Sequence, residues 1–493
     1  MLIPLQIPPG VFKNGTELQS AGRWSNANLV RWMDGTVRPV GGWRVKSSNP
    51  ASGAARSLFS WKDNSSNPWL AIGTHSGLYV MSVGNIIKDI TPAGFTVGRI
   101  DASAFLGYGG YTYGSSEYGI ERPAGSTVLP ASVWSFDNWG EYLVGCCNTD
   151  GKIYEWQLDF GTPTISAVVA NAPVSNKAVV VTAERIMMAL GADGNPRKLA
   201  WSDQEDNTTW TPTALNQAGD FELTTPGTLI AAKRVRGVTL IWTDLDVHTA
   251  SYIGQPLVYG FEKVGTGCGL VSPNAAAVVG DNSAFWISRT GFWMYDGYVK
   301  TLQSDVSDYV FNNINKDQIS KVYAFSNTEF GEVWWGYPSE SSVEIDSYVS
   351  YNYRENHWSL GTMSRTAGIQ RNVFDRPMMM STDSYVYEHE IGFNHGAAEV
   401  FLESGPVQLG VGDNTMFVRE LIPDELNQGD TQISFTSKFY PNAAEYDFGP
   451  YTMANPTSVR FSGRQIKMRI DQVQSTDWRV GTVRVDAVPS GRR

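Results

Sequence analysis

Apolar and polar positions alternate along this chain in short runs, and the runs come in pairs. In 283–300, SAFWISRTGFWMYDGYVK, Phe285 and Ile287 alternate with Trp286 and Ser288. Arg289-Thr290-Gly291 supplies a turn, Phe292–Tyr295 returns, and Asp296-Gly297 ends the pair. Period-2 alternation around a glycine-containing turn predicts a β-hairpin. The same pattern recurs at 69–81, 142–156, 185–201, 237–253, 332–352 and 376–391. The ends of the first strands, Gly73, Gly145, Gly191, Ile241, Ile287, Trp335 and Met380, lie 72, 46, 50, 46, 48 and 45 residues apart. A repeat of about 40–50 residues with several strands in each unit is the signature of a β-propeller. Terminal strands can share a blade, so the hairpins predict six or seven blades.

The hairpin period organises only part of the chain. Residues 1–50 are punctuated by Pro4, Pro8-Pro9-Gly10, Pro39 and Gly41-Gly42 and read as an extended N-terminal arm. Residues 51–393 form the propeller, and the one long gap is filled by a Tyr/Gly-rich loop at 107–126. At 203–210, DQEDNTTW resembles a degraded Asp-box, a folding turn of sialidase propellers. Residues 304–322 predict a helix, with Ser304 as its cap and Val306, Val310 and Ile314 at helical spacing. Strands continue at 431–440, 458–473 and 478–488 without the hairpin period, so 394–493 predicts a separate antiparallel β-sandwich. The expected fold class is all-β: a propeller with an added C-terminal sandwich.

Composition agrees with a folded β protein. Hydrophobic residues make up 42% and aromatic residues 12% of the 493, with 49 glycines for turns. The net charge of −11 argues against general nucleic-acid binding. The last 35 residues differ: 459–493 carry eight basic and three acidic side chains, which leaves −16 on the rest. Arg460, Arg464, Lys467 and Arg469 are therefore candidate contacts to an acidic partner or to DNA, with a solvated strand face as the alternative. No apolar run is long enough to predict a membrane span, and the start, MLIPLQIPPGVFKNG, predicts no secretory signal.

Candidate chemistry is sparse. Cys146, Cys147 and Cys268 show no disulfide or zinc spacing and read as small buried apolar residues. Glu388, His389, Glu390 and His395 form the one cluster of metal-ligating types, at a spacing that matches no common zinc pattern. There is no nucleophile elbow, phosphate loop or dinucleotide fingerprint, so no catalytic residue, metal or cofactor is expected. Two stretches suit contacts instead. Arg23-Trp24, Arg31-Trp32, Arg38 and Trp43 alternate cation and indole, which fits either packing on the propeller, with Arg bound to carboxylates, or a phosphate backbone. Tyr108, Tyr111, Tyr113 and Tyr118, spaced among glycines, fit a partner or channel loop, or a loop packed on its own blade.

Taken in order, GRWSNANLVRW and RPVGGWR near the start, the Tyr/Gly insertion, WSFDNWGEYLVGCCNTDGKIYEW at 134–156 and the closing strands from 459 onward resemble one family over nearly the whole chain. It is the family of tail hub or nozzle proteins of short-tailed bacteriophages (podoviruses), the packaged-DNA stabilisation or tail accessory factors. The resemblance implies a propeller body with a β-rich platform, and a ring of copies, usually six, below the portal and adaptor. It implies a virion tail part, assembled in the bacterial host cytoplasm, that extends the DNA channel and retains packaged DNA. Its implied partners are further copies, the adaptor or head-completion protein, tail fibre, spike or needle proteins, and double-stranded DNA passing without sequence specificity. The alternatives are a carbohydrate-binding or glycan-cleaving propeller, including a receptor-binding tail part, and a scaffold propeller that binds peptides.

Overall fold

The computed structural model describes residues 2–104, 128–158, 166–410, 414–440, 443–453 and 455–491. Seven four-stranded antiparallel sheets follow one another as blades around an axis. Blade 1 begins with Ala55–Lys62, blade 2 with Trp134–Trp139, blade 3 with Ala178–Val181 and blade 4 with Leu229–Val235. Blades 5, 6 and 7 begin with Ala276–Val279, Tyr323–Asn327 and Ala367–Ile369. These first strands are innermost, and Ala367–Ile369 returns beside Ala55–Lys62 to close the ring. Each hairpin read from the sequence is the second and third strand of a blade, one per blade.

The second strands lie between neighbouring blades and are covered on both faces. Their sequences are therefore continuous apolar runs: Leu70-Ala71-Ile72, Met188-Ala189-Leu190, Leu240-Ile241-Trp242 and Val333-Trp334-Trp335 are all buried. Packing between blades uses aromatic rings set against glycine. A Cβ on Gly73 would lie 2.5 Å from the Trp134 ring of the next blade. The Trp134 indole then donates to the Thr74 carbonyl at 2.8 Å, which ties blade 2 to blade 1.

The N-terminal 50 residues depart from the extended arm read in the sequence. Trp43–Val45 pairs with Val386–His389 as the outer strand of blade 7. The ring is thus completed by strands from opposite ends of the propeller sequence. Leu2–Pro4 pairs with Arg484–Gly491, and Trp24–Asn28 pairs with Phe401–Ser404. Both N-terminal strands therefore join the C-terminal sheets, one of four strands and one of six. These two sheets pack face to face, with Phe461 of one against Phe435 and Phe448 of the other at ring distances of 5.2 and 5.1 Å. The C-terminal residues alone do not make this unit. It rests on blade 6, where the Tyr348 hydroxyl accepts from Leu29 N and Trp358 O accepts from Val11 N.

Two local readings are corrected. The helix is one short segment, Ser307–Asn313, followed by a separate turn at Ile319–Lys321. Val306, not Ser304, holds the cap position; the Ser304 hydroxyl accepts from Val306 N one step earlier. The 203–210 turn is held by Asp206, which accepts from the Thr208 and Thr209 hydroxyls. No helix among the described residues is long and apolar enough to cross a membrane.

Candidate functional site

A propeller's inner strands each have one paired edge and one edge facing the axis. Around the axis lies a cavity of about 570 Å³, lined by all seven inner strands. Leu58, Phe59, Phe136, Val180, Ala232 and Ile369 supply apolar parts of its wall, and polar atoms supply at least as much of it. Free backbone N–H and C=O groups of the strand edges interrupt the apolar side chains.

One end of the cavity is closed. At the face where the inner strands begin, the Asn274 amide reaches across to Ser57 Oγ at 2.6 Å, Arg56 O at 3.1 Å and Trp134 O at 3.3 Å. One side chain from blade 5 thus ties blades 1 and 2. Beside it, fully buried Arg56 makes a two-pronged pair with Glu344, 2.8 Å at each prong. Lys321 Nζ bonds Asp101 at 2.5 Å, and the Gln318 amide both donates to and accepts from Ala102. The chain between blades 1 and 2 therefore crosses this face to reach blade 6.

The other end carries the charges that face the cavity. The Arg234 guanidinium lies 3.2 Å from Asp137, whose second oxygen accepts from Val181 N at 2.8 Å. Lys233, from the same strand as Arg234, sends its ammonium to Ala276 O of blade 5 at 2.7 Å. Among the described residues no carboxylate forms an ion pair with it. Burial lowers its pKa to about 8, and the field of Asp137 only partly opposes this. Arg236 donates to Asp296 O, and Glu184 and Asp281 lie at the turns that follow inner strands, on the rim. The signal for this site was present in the sequence as AAKRVRG at 231–237: two adjacent cations within an otherwise apolar inner strand. Sequence reasoning missed it.

The residues singled out from the sequence do not meet at one place. Trp24 and Trp32 are buried. Arg23 pairs with Asp305 at 3.0 Å and Arg38 lies over the Phe330 ring. Arg31, 3% exposed, binds both Glu332 and Glu390. Trp43 packs between the rings of His389 and His395. This arm thus spends its indoles on packing, and Arg23, Arg31 and Arg44 on carboxylates. In the closing strands, Lys467 sits between Glu17 and Glu445, at 2.5 and 3.2 Å. Arg469 sits between Glu399 and Asp471, at 3.3 and 2.9 Å. The basic run is therefore partly neutralised by the chain itself, while Arg460 stays exposed and Arg464 half-buried. Tyr108, Tyr111, Tyr113 and Tyr118 lie outside the described residues.

The cluster weighed for metal is divided among other partners. Glu388 pairs with Arg44, Glu390 with Arg31, and His389 Nε2 accepts from Arg365 Nε at 2.9 Å. His395 Nε2 meets the Val40 carbonyl at 2.8 Å. No group of ligating side chains among the described residues is arranged to hold a metal ion. Cys146, Cys147 and Cys268 are buried and unbridged, and burial pushes all three thiols up.

No family model matches this chain, and no curated protein matches it. Among solved structures it is similar to virginiamycin B lyase from Staphylococcus aureus, at 6% identity over 70% of this chain and 99% of that one, with a TM-score of 0.45. It is also similar to the Neurospora crassa Pan2 WD40 domain, at 9% identity over 72% and 96%, with a TM-score of 0.39. A third is an exo-β-1,3-galactanase from Phanerochaete chrysosporium, at 9% identity over 91% and 100%, with a TM-score of 0.32. Likeness at this level carries no statement about activity. The chain is a seven-bladed β-propeller on the strength of its own sheets.

Proposed function

We propose that this protein is a structural tail component of a short-tailed bacteriophage, a hub or nozzle subunit that joins further copies in a ring below the portal and adaptor. Such a ring extends the DNA channel, retains packaged DNA and carries distal tail parts. The reading starts from the family resemblance of the sequence. The observation that best supports it is the interlacing of the N-terminal 50 residues, which supply a strand to blade 7 and one to each C-terminal sheet. A part that must carry load between a pressurised head and a tail gains from having its two bodies joined by paired strands rather than by a single linker.

The axial cavity adds a constraint. At about 570 Å³, and closed by Asn274 at one end, it has the size of a small-molecule site and cannot pass a duplex. In this proposal the DNA channel runs between copies, along the ring axis, and not through any one propeller.

Electron microscopy of the protein mixed with DNA-filled heads that lack it tests the proposal. The expected result is a symmetric knob at one vertex together with newly retained DNA; the symmetry of the knob gives the copy number. Bare vertices, with adaptor present on the heads, would overturn it, and glycan-binding assays would then examine the carbohydrate alternative.

A further inference from the structure

The Lys233 ammonium has three N–H donors, and the Ala276 carbonyl takes one. The side chain is enclosed within the propeller yet keeps accessible surface, because it borders the axial cavity. The other cations around that cavity are occupied. Arg56 is matched by Glu344, Arg234 by Asp137, and Arg236 by a carbonyl. Lys233 and Arg236 are thus the cations on this wall that meet a carbonyl and form no ion pair among the described residues, and of the two only Lys233 is withdrawn from the surface. Glu184 and Asp281 stand on the rim, so they flank the opening and leave the interior positive. The N–H groups of Trp134, Val179, Val181 and Ala324 are taken by neighbouring blades, so further donors toward the axis come from the inner-strand N–H groups that those blades leave free.

A buried ammonium with one carbonyl partner is costly unless an anion or water answers its remaining donors. The cavity is large enough for a small ligand. We propose that the axial cavity is a binding site for one small oxyanion per chain, of the phosphate or carboxylate class, held by Lys233 Nζ and by backbone N–H groups of the inner strands. The site is independent of the tail reading. Binding draws a proton onto the part of Lys233 that is neutral, because an anion restores the charged form that burial disfavours.

Calorimetry on the full chain tests this, with sulfate as the tetrahedral probe and acetate as the carboxylate probe. Neither probe titrates near pH 8, so any proton taken up there enters the protein. Titrations at pH 8 in two buffers of different ionisation enthalpy read that uptake directly. The expected result is one saturable site for at least one probe, with proton uptake at pH 8 that disappears at pH 6.5. The probe that binds more tightly identifies the ligand class. Lys233→Met lowers affinity roughly tenfold or more, as expected for losing a charge-assisted hydrogen bond, and abolishes uptake. Lys233→Arg keeps binding but shows no uptake, since guanidinium stays protonated. Absence of saturable binding by both probes overturns the proposal, as does uptake that survives in Lys233→Arg. The arginine variant keeps the test decisive even where the methionine variant fails to fold.

Discussion

Arg31 binds Glu332 through two parallel bonds, Nε to Oε1 and Nη2 to Oε2, each 3.0 Å. The two residues lie 301 positions apart and both are buried. The same guanidinium holds Glu390, which also accepts from Asn327 and from Gly41 N. One N-terminal cation thus joins the second strand of blade 6 to the chain leaving blade 7. Burial works against the charged form of Arg31, and the two carboxylates outweigh it, so its pKa is raised.

Replacing Arg31 leaves two carboxylates buried without their counterion. Removing one partner of a buried ion pair costs about 3–5 kcal/mol. Arg31→Met is expected to lower the urea midpoint of unfolding by a matching amount, followed by tryptophan fluorescence. Arg31→Lys recovers only part of the loss, since an ammonium cannot make the two-pronged contact. The triple variant Arg31→Met, Glu332→Gln, Glu390→Gln recovers more, because no charge is then stranded. An unchanged midpoint in Arg31→Met would mean that this cluster does not hold the N-terminal segment to the propeller.

Closure of the ring makes a separate prediction. Trp43, Arg44 and Val45 pair with His389, Glu388 and Tyr387. A chain lacking residues 1–45 has a three-stranded blade 7 with an open edge, and both C-terminal sheets lose a strand. The expected outcome is loss of a cooperative thermal transition and rapid proteolysis within 380–400 at protease levels the full chain survives. Equal protease resistance in the shortened chain would show that the outer strand is dispensable.

These relationships mark where the sequence was readable. The seven hairpins were visible because each is a local pair whose turn and apolar run sit side by side. The closing strand was not, because Trp43–Val45 is three residues long and its partner is far away in the chain. Without that pairing, Glu388, His389, Glu390 and His395 read as possible ligands. Their true partners, Arg44, Arg365, Arg31 and the Val40 carbonyl, become evident only once the ring is closed. The basic run near the C-terminus was read as a free face for the same reason: Glu17 and Glu399, which answer Lys467 and Arg469, are distant in sequence. Lys233 was visible as an anomaly in its strand, but its meaning depends on a cavity that seven separate strands create.

Acid should destabilise this fold. Burial holds the pKa of all five histidines below the ordinary value, His389 most strongly, with the Arg365 cation adding to the effect. A base whose folded pKa is depressed takes up its proton more readily when unfolded. The stability it contributes is therefore complete above about pH 6.5 and lost as the pH falls below that. From pH 8 to 7 the thermal midpoint is expected to fall only slightly, as Lys233 completes its protonation, and from 6.5 to 5 to drop more steeply. His389→Gln keeps an acceptor for Arg365 Nε but cannot titrate. It should flatten the acid slope by up to about 1.4 kcal/mol per pH unit, the value for one proton. A slope unchanged by that substitution would place the acid sensitivity elsewhere.

Asn274 carries the last prediction. Its amide donates to groups on two blades other than its own, so it closes one end of the cavity and braces the ring. Asn274→Ala removes these bonds, but the acceptors then face a cavity that water can enter. The cost should be near that of ordinary hydrogen bonds, about 1–2 kcal/mol, and not that of a dry unsatisfied core group. The same change opens the closed end, so amide hydrogen exchange should rise at the starts of the inner strands of blades 1 and 2, while the ends of those strands keep their protection. Uniform acceleration along both strands would mean that Asn274 supports the whole ring and does not act as a local stopper. No change at either end would mean that the Arg56–Glu344 pair and the crossing chain from Asp101 to Lys321 close this face without it.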